Sequence, residues 1–243
     1  MRTTRIHVDL DLASGQDLLL PGAQSAHLLR VLRLRPGAVV TLFNGRGGEF
    51  AAELTGADKA GARLRVGAHV AVERESPLLL TLLQGVARGE RMDFIVQKAT
   101  ELGVQRIVPL SCEFSVVRLD DAARQRRCEH WRTVAIAACE QCGRNRVPQI
   151  APIADLEVAC AGVDAELKLI LMPEAPASLA ALARGMNRAV LLVGPEGGLS
   201  GREQLLAQRL GFQACRLGPR VLRTETAPLA ALAALQALGG DLG

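Results

Sequence analysis

Tyrosine is missing from this 243-residue chain, tryptophan occurs once, and lysine stands only at Lys59, Lys98 and Lys168. With so few rings, an extended aromatic platform for stacking nucleobases is not expected. No apolar stretch reaches the length of a membrane span, and the first residues lack the apolar core that directs secretion. The chain is therefore expected in the cytoplasm. Its six cysteines, Cys112, Cys128, Cys139, Cys142, Cys160 and Cys215, are then expected as reduced, small buried residues rather than as disulfides. Cys139 and Cys142 form the one close pair. They fall near the end of an expected helix, whereas a redox-active pair opens one, and no second cysteine or histidine pair completes a zinc site. No metal is expected.

What is present is ordinary for a globular protein. Hydrophobic residues make up 49% and charged residues 22%, and the length suits one or two domains with a buried core. The 29 basic and 25 acidic residues leave a net charge of +4. That permits a nucleic-acid partner without requiring one. The basic residues are overwhelmingly arginine, which suits phosphate and base contacts, although a GC-rich genome produces the same bias.

Residues 1–73 read as β-rich with one short helix. Ile6 and Val8 alternate as in a strand, and His27, Leu28, Val31 and Leu32 have helical spacing before Pro36-Gly37. His27, set among apolar residues, is expected packed or hydrogen-bonded rather than catalytic. Val39 to Phe43 and Glu49 to Leu54 flank a glycine-rich loop and predict a hairpin. Short strands at Arg63–Val66 and His69–Val72 complete a small barrel. Arg2, Arg5, Arg30, Arg33, Arg35 and Arg46 make it basic, as candidate RNA contacts or as solvated surface charge.

Glu73-Arg74-Glu75-Ser76-Pro77 is a charged break, and the domain boundary is placed there, giving domains 1–73 and 74–243. Beyond it strands and helices alternate: strands at Leu78–Val86, Val104–Leu110, Leu167–Met172, Val190–Val193 and Gln213–Leu217, helices at Met92–Leu102, Asp121–Cys142 and Ala227–Leu238. That rhythm predicts an α/β fold, a parallel sheet with helices on both faces. The last helix is apolar almost all round. It is expected either deep in its own domain or in a subunit interface.

Three strands end in glycine- or proline-punctuated turns. Val190-Leu191-Leu192-Val193 runs into Gly194-Pro195-Glu196-Gly197-Gly198, and Ser200 with Glu203 has capping-box spacing for a helix from Gly201. Leu171-Met172-Pro173-Glu174 follows a second strand, and Leu217-Gly218-Pro219-Arg220-Val221-Leu222-Arg223-Thr224 a third. Adjacent strand ends of a parallel sheet form one crevice. The glycine spacing fits neither the dinucleotide fingerprint nor the phosphate loop, and Pro195 lacks an amide that an anion cradle would use. The expected ligand is nucleoside-like and carries no di- or triphosphate. Its expected contacts are Leu171, Met172, Pro173, Glu174, Gly194, Pro195, Glu196, Gly197, Gly198, Leu217, Gly218, Arg220, Val221, Leu222, Arg223 and Thr224.

At these residues the sequence resembles the SPOUT class of methyltransferases, and within it the ribosomal RNA small subunit methyltransferase E family. The resemblance rests on Arg88-Gly89-Glu90-Arg91-Met92-Asp93 running to Gln97-Lys98-Ala99-Thr100-Glu101-Leu102-Gly103, on Ala138-Cys139-Glu140-Gln141-Cys142-Gly143-Arg144-Asn145-Arg146-Val147-Pro148, and on the blocks 194–200 and 217–226. Arg30-Val31-Leu32-Arg33 adds a weaker match near the amino terminus. The resemblance implies a SPOUT-type parallel sheet with a carboxyl-terminal trefoil knot, preceded by a small PUA-like RNA-binding β-barrel. It implies S-adenosylmethionine as cofactor, a homodimer, and methylation of N3 of a uridine in 16S rRNA near the decoding centre of the small ribosomal subunit. Pro228, in the last helix, departs from the residue types expected there.

Uridine N3 carries a proton at neutral pH, so the site must remove it or stabilise the anion. Arg144 is the first candidate, because a guanidinium opposite that anion favours ionisation. Glu140, one helical turn earlier, is the candidate to orient it, with Arg223 and Glu196 as further candidates for substrate contact and proton acceptance. Glu140 and Arg144 are equally readable as a plain helix-surface ion pair. RNA contacts are expected from Arg2, Arg5, Arg30, Arg33, Arg88 and Arg91. Two other readings compete: the same class of enzyme on another RNA base, and an RNA-binding ribosome assembly factor that no longer methylates.

Overall fold

The computed structural model describes residues 4–115 and 120–243. The chain divides into two compact units. Unit 1 holds Met1–Glu75 with Cys139–Val147, and unit 2 holds Ser76–Ala138 with Pro148–Gly243. The break expected after residue 73 thus falls after Glu75, and a later segment groups with the first unit. Hydrogen bonds explain that grouping: the His7 amide donates to Glu140 Oε1, Arg5 Nη2 to Asn145 Oδ1, Arg74 Nη1 to the Gly143 carbonyl, and Asn145 Nδ2 to the Val72 carbonyl.

Unit 1 is built on a five-stranded sheet. Its strands are β1 (Arg5–His7), β2 (Asp17–Leu19), β3 (Val39–Phe43), β4 (Glu49–Asp58) and β5 (Gly61–Val70), in the order β1-β3-β4-β5-β2. β3 and β4 form the expected antiparallel hairpin. β5 is one strand of ten residues where the sequence suggested two, because a register shift at Gly67 and Ala68, opposite Ala51, is absorbed without ending the ladder. Alternation along β4 and β5 drives Phe50, Ala52, Leu54, Leu64 and Val66 into the core, with Ile6, Leu28 and Leu42. The helix α1 (Gly22–Ala26) continues as a π-helical turn over His27–Val31. That wider turn buries Leu28 and leaves His27 exposed, so the histidine expected to pack faces solvent. Arg33, just beyond, has φ +53°, a backbone conformation that costs a non-glycine residue energy.

Unit 2 carries a seven-stranded sheet in the order β12-β10-β11-β6-β7-β8, with β9 also on β7. Its strands are β6 (Leu79–Gly85), β7 (Arg106–Ser111), β8 (Gln149–Ile150), β9 (Ala154–Asp155), β10 (Leu167–Leu171), β11 (Arg188–Val193) and β12 (Gln213–Cys215). Each pairing is parallel, as the alternating pattern predicts. The helices are α2 (Glu90–Glu101), α3 (Asp121–Cys142), α4 (Leu156–Ala161), α5 (Leu179–Leu182), α6 (Gly201–Arg209) and α7 (Thr226–Gly239). One sheet face, with Leu83, Leu110, Ile170 and Leu192, is covered by Leu156 and Ala159 of α4 and Ala207 of α6. On the opposite face Leu82, Ile107, Leu169 and Leu191 are fully buried as well, and there α7 packs on β11 and on α2. Strands covered on both sides explain why they read as unbroken apolar runs.

The helix α7 buries Pro228, Ala231, Leu232, Leu235 and Gln236, while Ala230, Ala237 and Leu238 stay exposed. Gln236 is its one buried polar side chain: Nε2 donates to the Leu102 carbonyl at 2.8 Å and Oε1 accepts from the Ser76 hydroxyl at 2.6 Å. The helix begins after Glu225, with no side-chain cap, so Thr226 is its first residue rather than the expected cap. No helix among the described residues is long and apolar enough to cross a membrane.

Candidate functional site

The strands β11, β10 and β12 are neighbours, so their carboxyl ends lie side by side. The register pairs Leu169 with both Leu191 and Gln213, which sets all three turns at one edge of the sheet. They enclose a cavity of about 750 Å³. Each of the residues expected to contact a ligand, Leu171–Glu174, Gly194–Gly198, Leu217–Gly218 and Arg220–Thr224, lines it. Val193, Leu199, Gln204, Cys215, Arg216, Glu225, Ala227 and Arg91 line it too, and sequence reasoning did not assign these to it. Strand alternation could have found Cys215. Arg91 gave no local signal, because it sits on α2, about a hundred residues before the glycine loop.

Two close approaches shape the walls. A Cβ on Gly85, at the end of β6, would lie 2.4 Å from the Pro195 nitrogen, and one on Gly197 would lie 2.8 Å from Phe114 Cβ. Only glycine lets these backbones meet. Thr224 Oγ1 donates to the Gly194 carbonyl at 2.9 Å, tying the third turn to the first. Behind the loop, Ser200 and Glu203 form both halves of a capping box and fix the start of α6.

Charge in the cavity is organised by Arg91. Its Nη1 donates to Glu196 Oε1 at 2.9 Å, and its Nε lies 3.7 Å from Glu225 Oε2. Glu196 Oε1 also accepts the Arg88 amide at 2.9 Å. Burial alone would raise the Glu196 carboxyl, but the Arg88 amide and the Arg91 guanidinium outweigh it and hold the group below the usual carboxylate value. Arg216 is turned onto the carbonyls of Ala175 and Pro176. Cys215 is pushed up to about 12 by burial, so its thiol keeps its proton and is no nucleophile. Arg220 and Arg223 are exposed.

The other named candidates sit elsewhere. Glu140 and Arg144 belong to unit 1. Arg144 is 4% exposed and its guanidinium binds Glu75, with Nε to Oε1 at 3.0 Å and Nη2 to Oε2 at 2.6 Å. Glu140 accepts the His7 amide. Arg5, expected to touch RNA, is internal: its side chain is 8% exposed, it donates to Glu49 and Asn145, and it lies 4.9 Å over the Phe43 ring. A guanidinium so enclosed has no open face for a phosphate. Arg30, Arg33 and Arg88 are exposed, Arg91 lines the cavity, and Arg2 lies outside the described residues. Among the described residues no cluster of three or more His, Cys, Asp or Glu could hold a metal ion.

The family model of an RNA methyltransferase domain matches residues 74–236, and that of an RNA methyltransferase PUA domain matches residues 20–70. The chain belongs to the ribosomal RNA small subunit methyltransferase E family. The family member of Buchnera aphidicola (Schizaphis graminum) is 33% identical, covering 99% of this chain and 98% of that one. The family member of Neisseria gonorrhoeae, solved bound to S-adenosyl methionine, is 40% identical with a TM-score of 0.92 over 100% of both chains. A methyltransferase of Legionella pneumophila, solved with the cofactor SAM, is 40% identical with a TM-score of 0.95, again over 100% of both. The coarse fold expectation holds: this family member combines an α/β unit on a parallel sheet with a PUA domain.

Proposed function

We propose that this chain transfers a methyl group from S-adenosylmethionine to N3 of a uridine in 16S rRNA, near the decoding centre of the small ribosomal subunit. One observation carries the reading: the turns after β10, β11 and β12 gather in a single cavity with apolar walls and backbone donors. Such a cavity suits an adenosyl group without phosphates. Its carboxylates at Glu174, Glu196 and Glu225 suit a cationic cofactor, and its glycines admit a close backbone approach. The cofactor supplies, when bound, an electrophilic methyl carbon on a sulfur that leaves neutral, so no acid catalyst is needed.

The residues of unit 2 then have definable tasks. Glu196, held ionised by Arg91 and the Arg88 amide, shapes the wall and offers an acceptor for a donor hydrogen. Arg223, with an exposed guanidinium, stands opposite the uracil oxygens and favours the N3-deprotonated base. Arg144 and Glu140 we assign to bracing unit 1. We read the loop 217–225, tied to Gly194 through Thr224, as the trefoil knot of the SPOUT class. Unit 1 we read as a PUA-like barrel that holds RNA through Arg30 and Arg33. The exposed Ala230, Ala237 and Leu238 of α7 support a homodimer, and the whole suits a cytoplasmic enzyme acting on the small subunit or its rRNA.

Mass mapping of modified nucleosides in 16S rRNA tests this. A deletion strain is expected to lack one 3-methyluridine, restored by the wild-type gene. An unchanged nucleoside map would overturn the reading, and wild-type protein that failed to bind S-adenosylmethionine in calorimetry would leave the assembly-factor alternative standing.

A further inference from the structure

Two aromatic side chains of this protein face solvent. Trp131, Phe43, Phe50 and Phe212 are buried, whereas Phe94 on α2 is 45% exposed and Phe114 is 48% exposed, and of these two Phe114 is the one whose backbone meets the glycine loop. It lies at the rim of the cavity, since a Cβ on the cavity-lining Gly197 would come within 2.8 Å of Phe114 Cβ and 3.1 Å of the Phe114 carbonyl oxygen. The turn that carries it is fixed. The Cys112 amide donates to Ser115 Oγ and the Ser115 amide to the Cys112 carbonyl, both at 3.0 Å. The Glu113 amide donates to Glu203 Oε1 at 2.9 Å, while Glu203 Oε2 accepts the Ser200 amide at 2.8 Å. One carboxylate therefore locks the Phe114 turn to the helix that backs the glycine loop. An exposed apolar ring on a turn held this firmly is unfavourable for an isolated chain and suited to receiving a partner.

We propose that Phe114 is the stacking surface for the target pyrimidine. This rests on the methyltransferase reading of the cavity. A base methylated on a ring nitrogen must leave its own stack to reach the donor, and unstacked bases are received on aromatic faces. The scarcity of aromatic residues argues against an extended platform, but a single base needs a single ring. During transfer the N3–H proton passes to solvent or to a wall carboxylate, the N3 electron pair forms the bond to the methyl carbon, and the carbon–sulfur pair stays on the departing sulfur. Phe114 takes no part in that exchange and fixes the plane of the base.

The test compares wild type with F114L and F114W. Affinity for unmodified small ribosomal subunits without cofactor, kcat/KM for their methylation, and S-adenosylmethionine affinity by calorimetry are measured for each. F114L is expected to weaken subunit binding and kcat/KM about ten-fold or more, to leave cofactor affinity within about two-fold, and to be rescued by F114W. Unchanged subunit binding and kcat/KM in F114L would overturn the proposal. So would a loss accompanied by dissociation in sedimentation, which would place the ring in a contact between copies. Wild-type protein that binds neither cofactor nor subunit would instead sink the methyltransferase reading, which separates the two failures.

Discussion

Arg144 and Glu75 face each other through two parallel hydrogen bonds of 3.0 and 2.6 Å. Burial disfavours the charged guanidinium, yet the Glu75 carboxylate outweighs that and raises the Arg144 pKa further above its ordinary value. A fork-on-fork pair of this kind is specific to arginine. R144A is expected to destabilise the protein by about 3 kcal/mol, because it strands a mostly buried carboxylate. R144K is expected to recover little of that loss, and E75Q in the R144A background a substantial part. Denaturant unfolding followed by circular dichroism reads the effect. If the R144A/E75Q protein unfolded like wild type and still methylated nothing, Arg144 would return to the mechanism.

Arg91 joins two loops that are far apart in sequence, through Glu196 and Glu225. Its side chain is partly open to solvent, so screening reduces each contact. R91A is expected to cost roughly 1 kcal/mol in S-adenosylmethionine affinity, about five-fold in Kd by calorimetry. It should leave the melting temperature within a few degrees. Because Arg91 also helps to hold Glu196 ionised, the same variant should move the Glu196 pKa upward, visible in carboxyl-carbon NMR titration. Undiminished affinity would show that the clamp does not shape the site.

Glu140 and Glu49 respond to acid in opposite directions. Burial raises the Glu140 pKa, against the opposing pull of the His7 amide and of nearby His27 and Arg5. The folded chain then holds this proton more tightly than the unfolded chain. Stability contributed by protonated Glu140 is present at low pH and declines as pH rises from the ordinary carboxylate value through the folded one. Burial would raise Glu49 too, but hydrogen bonds from Arg74 and Arg5 prevail and lower it. Its contribution is present above the ordinary value and is lost as pH falls through the folded value. E140Q keeps an oxygen for the His7 amide and is expected to increase stability at pH 7 and to steepen the net loss on acidification. E49Q is expected to flatten that loss. Unfolding curves across pH 3–7 for both variants would expose any error in these signs.

Local chemistry made much of this protein legible from sequence. The run Val190–Val193 is long enough for a strand and too short for a helix, Gly194 and Pro195 stop it, and Ser200 with Glu203 starts the next helix. Each of these depends on residues a few positions apart, and the structure places the elements within a residue or two of expectation. The same holds for the 22 residues of α3. The alternation of strands and helices pointed to a parallel sheet with covered faces, and the three turns that follow such strands pointed to one crevice.

Tertiary structure alone decided who faces whom. Arg91 and Arg5 carry the same guanidinium in comparably basic stretches, yet one closes a cavity through carboxylates more than a hundred residues later and the other is sealed against Glu49, Asn145 and Phe43. Arg144 sits one helical turn from Glu140, but its guanidinium is gripped by Glu75, 69 residues earlier. Sequence specifies hydrogen-bonding capacity and backbone preference at each position. Which long side chain meets which partner depends on strand register and chain crossing, and those arise from burying both faces of a sheet at once.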